Sequence, residues 1–224
     1  MKQSSAQPGK LTRYASSVCI ALCLLQSAAY ANAQDLSGLR HKAEQGDARA
    51  QVTLGNIYSR GLSGVSEAPQ EALTWYSMAA AQGNADGKDA VKEINNRFAA
   101  EAGDPAAQYK LGKSYARGGV LKRDQKLAFE WNRKAAEQGY ADAQFDLGAN
   151  YDQGYMVPRD PAQALEWFRK AADQGHVAGQ FYVGVAYAQG RGVPQDTNLA
   201  LVWLRMAAQQ GNVAAQRYIN QLGG

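Results

Sequence analysis

Apolar and small residues recur three and four positions apart in short stretches along this chain, and glycine ends each stretch. That spacing marks one face of an α-helix. In residues 104–139 a first stretch carries Ala107, Leu111 and Tyr115, with Gln108 and Gly112 beside them, and stops at Gly118. A second begins after Asp124, carries Ala128, Trp131, Ala135 and Ala136, and stops at Gly139. An Asp before the first turn is a good N-cap, because its carboxylate accepts from otherwise unpaired N–H groups. A Gly just past the last turn takes the left-handed conformation at little cost. The pattern predicts two antiparallel helices, A and B, joined by a short loop.

The unit repeats with a period of 36. Residues 104–139, 140–175 and 176–211 align without a gap, and 47–83 is a further copy with one extra loop residue. Asp160 and Asp196 repeat the cap, and Gly175 and Gly211 repeat the stop. Helix A holds a glycine at one inner position in every copy: Gly55, Gly112, Gly148 and Gly184. An interior Gly costs about 1 kcal/mol relative to Ala, so its recurrence predicts close approach by a neighbouring helix. All four tryptophans, Trp75, Trp131, Trp167 and Trp203, share one helix B position. Tyr58, Tyr115, Tyr151 and Tyr187 share one helix A position. Aromatics in register are expected to stack in the core.

The pattern A-Q-x-x-L-G-x-x-Y-x-x-G, a loop with V-P-x-D, then A-x-x-W-x-x-x-A-A-x-x-G resembles the SEL-one-like repeat, a relative of the tetratricopeptide repeat. Leu121-Lys122 departs from the Val157-Pro158 and Val193-Pro194 of the next copies, and Gly179 replaces the usual Ala. The resemblance implies an all-α fold, a right-handed α/α solenoid of antiparallel helix pairs. It also implies scaffolding or signalling by binding another protein or peptide. The family brings no catalytic residue set and no cofactor.

Residues 84–103 are shorter than a repeat, and no Gly or Pro between Asp89 and Ala102 can turn the chain. Ala90, Val91, Ile94, Phe98 and Ala102 keep helical spacing throughout. One continuous helix is expected over most of 88–101, the alternative being a turn at Asn95-Asn96. Residues 35–46 and 212–222 resemble single repeat helices and are expected to cap the array.

The first 33 residues differ in kind. Lys2, Lys10 and Arg13 precede the apolar run Ala15–Leu25 and the small residues Ala31 and Ala33. This is the layout of a secretory signal peptide, with cleavage expected after Ala33 and Ala31 as the alternative. The run is short for a membrane span, which needs roughly 20 apolar residues, so no stable membrane insertion is expected after cleavage. Export points to the periplasm or the cell exterior. Both cysteines, Cys19 and Cys23, fall in this segment, preceded by Val18 and Leu22 where a lipid-modified Cys needs a small neighbour. The mature chain therefore has no thiol to offer a disulfide or a metal.

Removing three basic residues changes the charge from +4 to 21 − 20 = +1, which gives no argument for nucleic acid. Charge is nevertheless patterned. Lys110, Lys113, Arg117, Lys122, Arg123, Lys126, Arg133 and Lys134 make one copy basic, and Asp142, Asp146, Asp152, Asp160, Glu166 and Asp173 make the next acidic. Inter-repeat ion pairs and a partner-steering surface both fit this.

No H-E-x-x-H, C-x-x-C, G-x-S-x-G or P-loop occurs. Gln82, Asn84, Asp86, Gly87 and Glu93 approximate a calcium loop, but the first ligand is not Asp and the repeat register already accounts for the stretch. His176 opens a helix A and is expected to cap or be exposed. Asp142 and Asp146 are spaced i, i+4, so a cell-wall hydrolase is the enzymatic alternative; a glycan binder or spacer is a third. The favoured reading is a non-catalytic interaction module. Its partner-binding face is expected where helix A varies between copies: Lys110, Lys113, Ser114 and Arg117, then Asp146, Ala149, Asn150 and Gln153, then Tyr182, Val185 and Gln189.

Overall fold

The computed structural model describes residues 35–223. The expected signal segment and its cleavage site lie outside them. Every regular element among the described residues is a helix: α1 (35–44), α2 (Ala48–Arg60), α3 (Pro69–Ala81), α4 (Ala85–Glu101), α5 (Pro105–Arg117), α6 (Gln125–Glu137), α7 (Ala141–Gln153), α8 (Pro161–Asp173), α9 (Val177–Gln189), α10 (Thr197–Gln209) and α11 (Val213–Gln221). None of these helices is long and apolar enough to cross a membrane. The chain forms two compact units that meet in sequence at Lys92 and Glu93, inside α4.

In the first unit α2 and α3 form the helix pair of the 47–83 copy. In the second, α5/α6, α7/α8 and α9/α10 are the three gapless copies, and each helix B also packs on the helix A that follows. The expected solenoid of helix pairs is therefore present, and α11 closes its end against α10. Asp124, Asp160 and Asp196 cap α6, α8 and α10 by accepting first-turn N–H bonds at 2.9–3.0 Å. Gly139, Gly175 and Gly211 follow each helix B with φ near +90° (92°, 86° and 89°), a conformation that a Cβ disfavours.

Residues 85–101 form one uninterrupted helix, as the spacing predicts. Asn84 Oδ1 caps its start by accepting from Gly87 N at 2.9 Å. Asn95-Asn96 makes no turn; Asn96 Nδ2 instead donates to the Ala107 carbonyl. Of the calcium-loop positions, Asn84, Asp86, Gly87 and Glu93 thus lie on this helix and its cap, while Gln82 ends α3 and bonds Gln51.

The inner glycines do mark close approach. A Cβ at Gly55 would sit 2.4 Å from the Tyr76 ring, one at Gly148 2.7 Å from the Phe168 ring, and one at Gly184 2.7 Å from Leu204. These contacts correct the expected role of the tryptophans. In these three copies the side chain driven against the glycine belongs to the residue after the Trp. Tyr76 and Leu204 are fully buried and Phe168 nearly so, whereas all four tryptophans are half-buried. The reason is angular. The buried stripe of α8 runs through Ala164, Phe168, Ala171 and Ala172, which leaves Trp167 on its flank. There the Trp131 and Trp167 rings carry the ammonium groups of Lys134 and Lys170 at 4.0 and 3.7 Å from their centroids.

A buried glutamine in each copy ties its helix pair to the helix before it. Gln51, Gln108, Gln144 and Gln180 are buried in helix A. Each donates to a carbonyl in the preceding helix: Ala43, Ala100, Ala136 and Ala172, at 2.9–3.4 Å. Each also accepts from the glutamine that ends its own helix B, Gln82, Gln138, Gln174 or Gln210, at 2.7–2.8 Å. One amide thereby joins three helices. In α11 the equivalent Gln216 is exposed and bonds Asn220 on its own helix.

Two consequences can be measured by chemical denaturation. Phe168→Ala should destabilise by about 3–5 kcal/mol and the half-buried Trp167→Ala by roughly half as much; equal losses would contradict the assignment of the inner position. Gln144→Ala should cost about 1–3 kcal/mol through its lost bonds. Gln216→Ala should stay within about 0.5 kcal/mol of the parent, as exposed sites do.

Candidate functional site

Helices α5, α7 and α9 carry the sequence-predicted face. Lys110, Lys113, Arg117, Gln153, Tyr182 and Gln189 are exposed on them, and Asp146, Ala149 and Asn150 are half-buried. Ser114 and Val185 are buried, at 6% and 9% exposure, and this narrows the expected face. Val185 is covered because it packs in one cluster with Leu204 and Ile219, which α11 completes. Ser114 shares the inward side of α5 with Leu111 and Gly112.

Charges on this face pair across the repeats. Lys113 Nζ lies 2.9 Å from Asp146 Oδ2, and the Tyr109 hydroxyl donates to the same oxygen at 3.1 Å. Arg191 pairs with Asp152. Asp142 lies 3.4 Å from Nε2 of His176, whose Nδ1 caps α9 by accepting from Gly179 N at 3.0 Å. The two carboxylates considered for hydrolysis are therefore both in inter-repeat contacts. Partial burial and then the Asp146 charge hold the Tyr109 hydroxyl above its usual pKa. For Lys113, burial alone would lower the pKa, and the bond and charge of Asp146 outweigh it, so the ammonium is held above its usual value.

Beside the Lys113–Asp146 pair a cavity of about 270 Å³ opens between α5, α6 and α7. Ala116, Ala128, Phe129 and Ala149 form apolar walls; Gly112, Gln125, Asn132, Asn150 and Tyr155 complete the lining with the ion pair. Tyr155 sits on the loop after α7, where its hydroxyl donates to Gln125 Oε1 at 3.0 Å. The next residue, Met156, holds φ at +61°, an uncommon value outside glycine. Both side chains are exposed.

The cavity has a cause in the sequence. Asn132 follows Trp131 and so occupies the position of Tyr76, Phe168 and Leu204. No side chain from that position presses on Gly112; a Cβ there would first meet the Ala128 carbonyl at 3.0 Å. The buried Asn132 Oδ1 has no hydrogen-bond partner, a state that costs about 1–3 kcal/mol. Variability along helix A does not reveal Gln125, Phe129, Asn132 or Tyr155, which lie outside that helix. The signal that does is a polar residue in an otherwise apolar column.

The Sel1 repeat matches residues 48–84, 105–140, 141–176 and 177–212. A solved Sel1 repeat protein from Oxalobacter formigenes is 34% identical with a TM-score of 0.56, over 57% of this chain and 96% of that one. A protective antigen present in uropathogenic Escherichia coli strains, displaying an SLR fold, is 36% identical with a TM-score of 0.47, over 80% of this chain and 34% of its own. This chain thus spans about a third of that antigen's length. Cysteine rich protein B of Helicobacter pylori is 19% identical with a TM-score of 0.43, over 56% of this chain and 96% of that one. Curated proteins give no match. With four matched copies over more than half of its length, the chain belongs to the Sel1 repeat family, whose members are generally protein-interaction modules.

Proposed function

We propose that the chain is a non-catalytic binding module exported to the periplasm or the cell exterior, where it holds a protein partner of an envelope signalling or assembly process. The observation that carries this reading is the division of helix A into two parts. One side repeats the buried glutamine and glycine in every copy. The other changes chemistry from Lys110, Lys113 and Arg117, through Asp146, Ala149, Asn150 and Gln153, to Tyr182 and Gln189. A solenoid that keeps its joints and varies its outward face is built for recognition. Ser114 and Val185 support that face from beneath.

Exposed cations steer association with an acidic surface more than they stabilise the fold. Lys110 and Arg117 flank the paired Lys113 by one helical turn on either side. The double variant Lys110→Glu/Arg117→Glu should bind the partner cross-linked to the parent chain at least about tenfold more weakly. Its helical content and thermal midpoint should match the parent's. Undiminished binding would remove this face from consideration.

The export reading has a separate check. Intact mass of protein recovered from periplasm or medium should correspond to a chain beginning at Gln34. Retained Met1, or lipid on Cys23, would overturn it.

A further inference from the structure

We infer that the cavity beside Asn132 is a receptor for one tyrosine side chain of the partner, presented by an acidic segment. This deepens the binding reading above and rests on it. The shape argument comes from the other copies. Gly112, Lys113, Ala116, Ala128, Phe129 and Asn132 line the cavity. Their equivalents in the 47–83 copy are Gly55, Asn56, Ser59, Ala72, Leu73 and Tyr76. There the space over the glycine is filled by the Tyr76 ring, whose hydroxyl donates to Asn56 Oδ1 at 2.9 Å and lies 3.1 Å from Ser59 Oγ. In the 140–175 copy the Phe168 ring takes the same place against Gly148. The 104–139 copy keeps the glycine that makes room for a ring and lacks the ring. A guest phenol restores the arrangement the fold already uses.

Polarity and charge select among rings. Asn132 contributes an amide oxygen without a partner. A guest that carries a donor at its tip can satisfy that oxygen once the amide turns toward it, which phenylalanine or leucine cannot do. The rim presents Tyr155, held out on the loop that Met156 strains. Lys113 lies in the lining, and Lys110 and Arg117 are exposed on the same helix. Lys113 and Asp146 offset one another, which leaves Lys110 and Arg117 as the net charge of this helix face. The field around the mouth therefore favours carboxylates on either side of the inserted ring. The volume of about 270 Å³ lies just under the range of roughly 300–1,000 Å³ usual for small-molecule pockets, a size suited to one side chain.

The test uses the exported chain and two probes observed by NMR: p-cresol, the tyrosine side chain alone, and the peptide acetyl-Glu-Glu-Tyr-Glu-Glu-amide. Both should shift amide signals of Gly112, Asn132 and Tyr155. Asn132→Phe should fill the cavity from within, raise the thermal midpoint and weaken both probes about tenfold or more, the scale of a lost buried anchor. Asn132→Leu, which copies the leucine at the equivalent position 204, gives the same readout should the Phe variant misfold. Replacing the peptide's Tyr by Ala should abolish binding. Equal affinity of parent and filled variants for p-cresol, or no shift in the parent, overturns the receptor. If the Ala peptide binds as well as the Tyr peptide, the basic face alone holds the partner; the binding reading then survives and the tyrosine pocket falls. A native partner that binds Asn132→Phe normally also overturns the inference, while loss of that partner only in Lys110→Glu/Arg117→Glu isolates the charged face.

Discussion

The hydrogen bonds of one buried glutamine per copy set the geometry of everything else. A carboxamide has both donors and acceptors, so Gln144 can give a hydrogen to the Ala136 carbonyl and take one from Gln174. The first bond fixes where a helix A begins relative to the preceding helix. The second fixes where its own returning helix ends. No apolar side chain could specify both registers at once, since dispersion has no direction. The glycine four residues on then sets how closely the helix pair meets: Gly148 follows Gln144 and meets Phe168. Register and spacing are thus assigned to different residues on one helix turn. On α11 the equivalent Gln216 lies in solvent and bonds Asn220 on its own helix instead.

Much of this was legible in the sequence, because a repeat states its rules several times over. The caps at Asp124, Asp160 and Asp196, the stops at Gly139 and its equivalents, and the unbroken helix over 85–101 all follow from local chemistry read in register. The tryptophans misled for a physical reason. Trp167 and Phe168 are both large, apolar and adjacent, and helical spacing accommodates either in a stripe through Ala164 and Ala171. Only the direction of the neighbouring helix decides that Phe168 faces Gly148 while Trp167 lies at the margin beneath Lys170. Ser114 and Val185 failed similarly. Their variability between copies suggested surface, but α11 covers Val185, and no pattern within a single copy announces that covering.

The alternation of charge between the 104–139 and 140–175 copies serves two ends. Lys113 and Asp146 meet, as do Arg191 and Asp152, so part of the pattern closes the joints between repeats. Lys113 is about half exposed, and pairs of that kind contribute little to stability. Their stronger effect is to remove Asp146 from the surface field. What remains outward on α5 is Lys110 and Arg117, one turn to each side. A surface that would otherwise present mixed signs is left basic where the cavity opens.

A gap in the core is easier to sustain in this architecture than in a globular domain. Each copy packs only on its neighbours, so a local defect subtracts from one pair of interfaces and leaves the others intact. Placing Asn where Tyr76, Phe168 and Leu204 stand removes buried apolar volume and leaves an amide oxygen unpaired, each a destabilising change. Polar contacts still link these elements without a ring at position 132: the Gln108–Gln138 bond, the Lys113–Asp146 pair and the Tyr155–Gln125 bond at the rim. The same gap with a small apolar residue such as Ala at 132 would be dry, with no preference for a guest. With Asn132 the cavity keeps a polar group in its wall, in a copy whose helix A carries Lys110, Lys113 and Arg117.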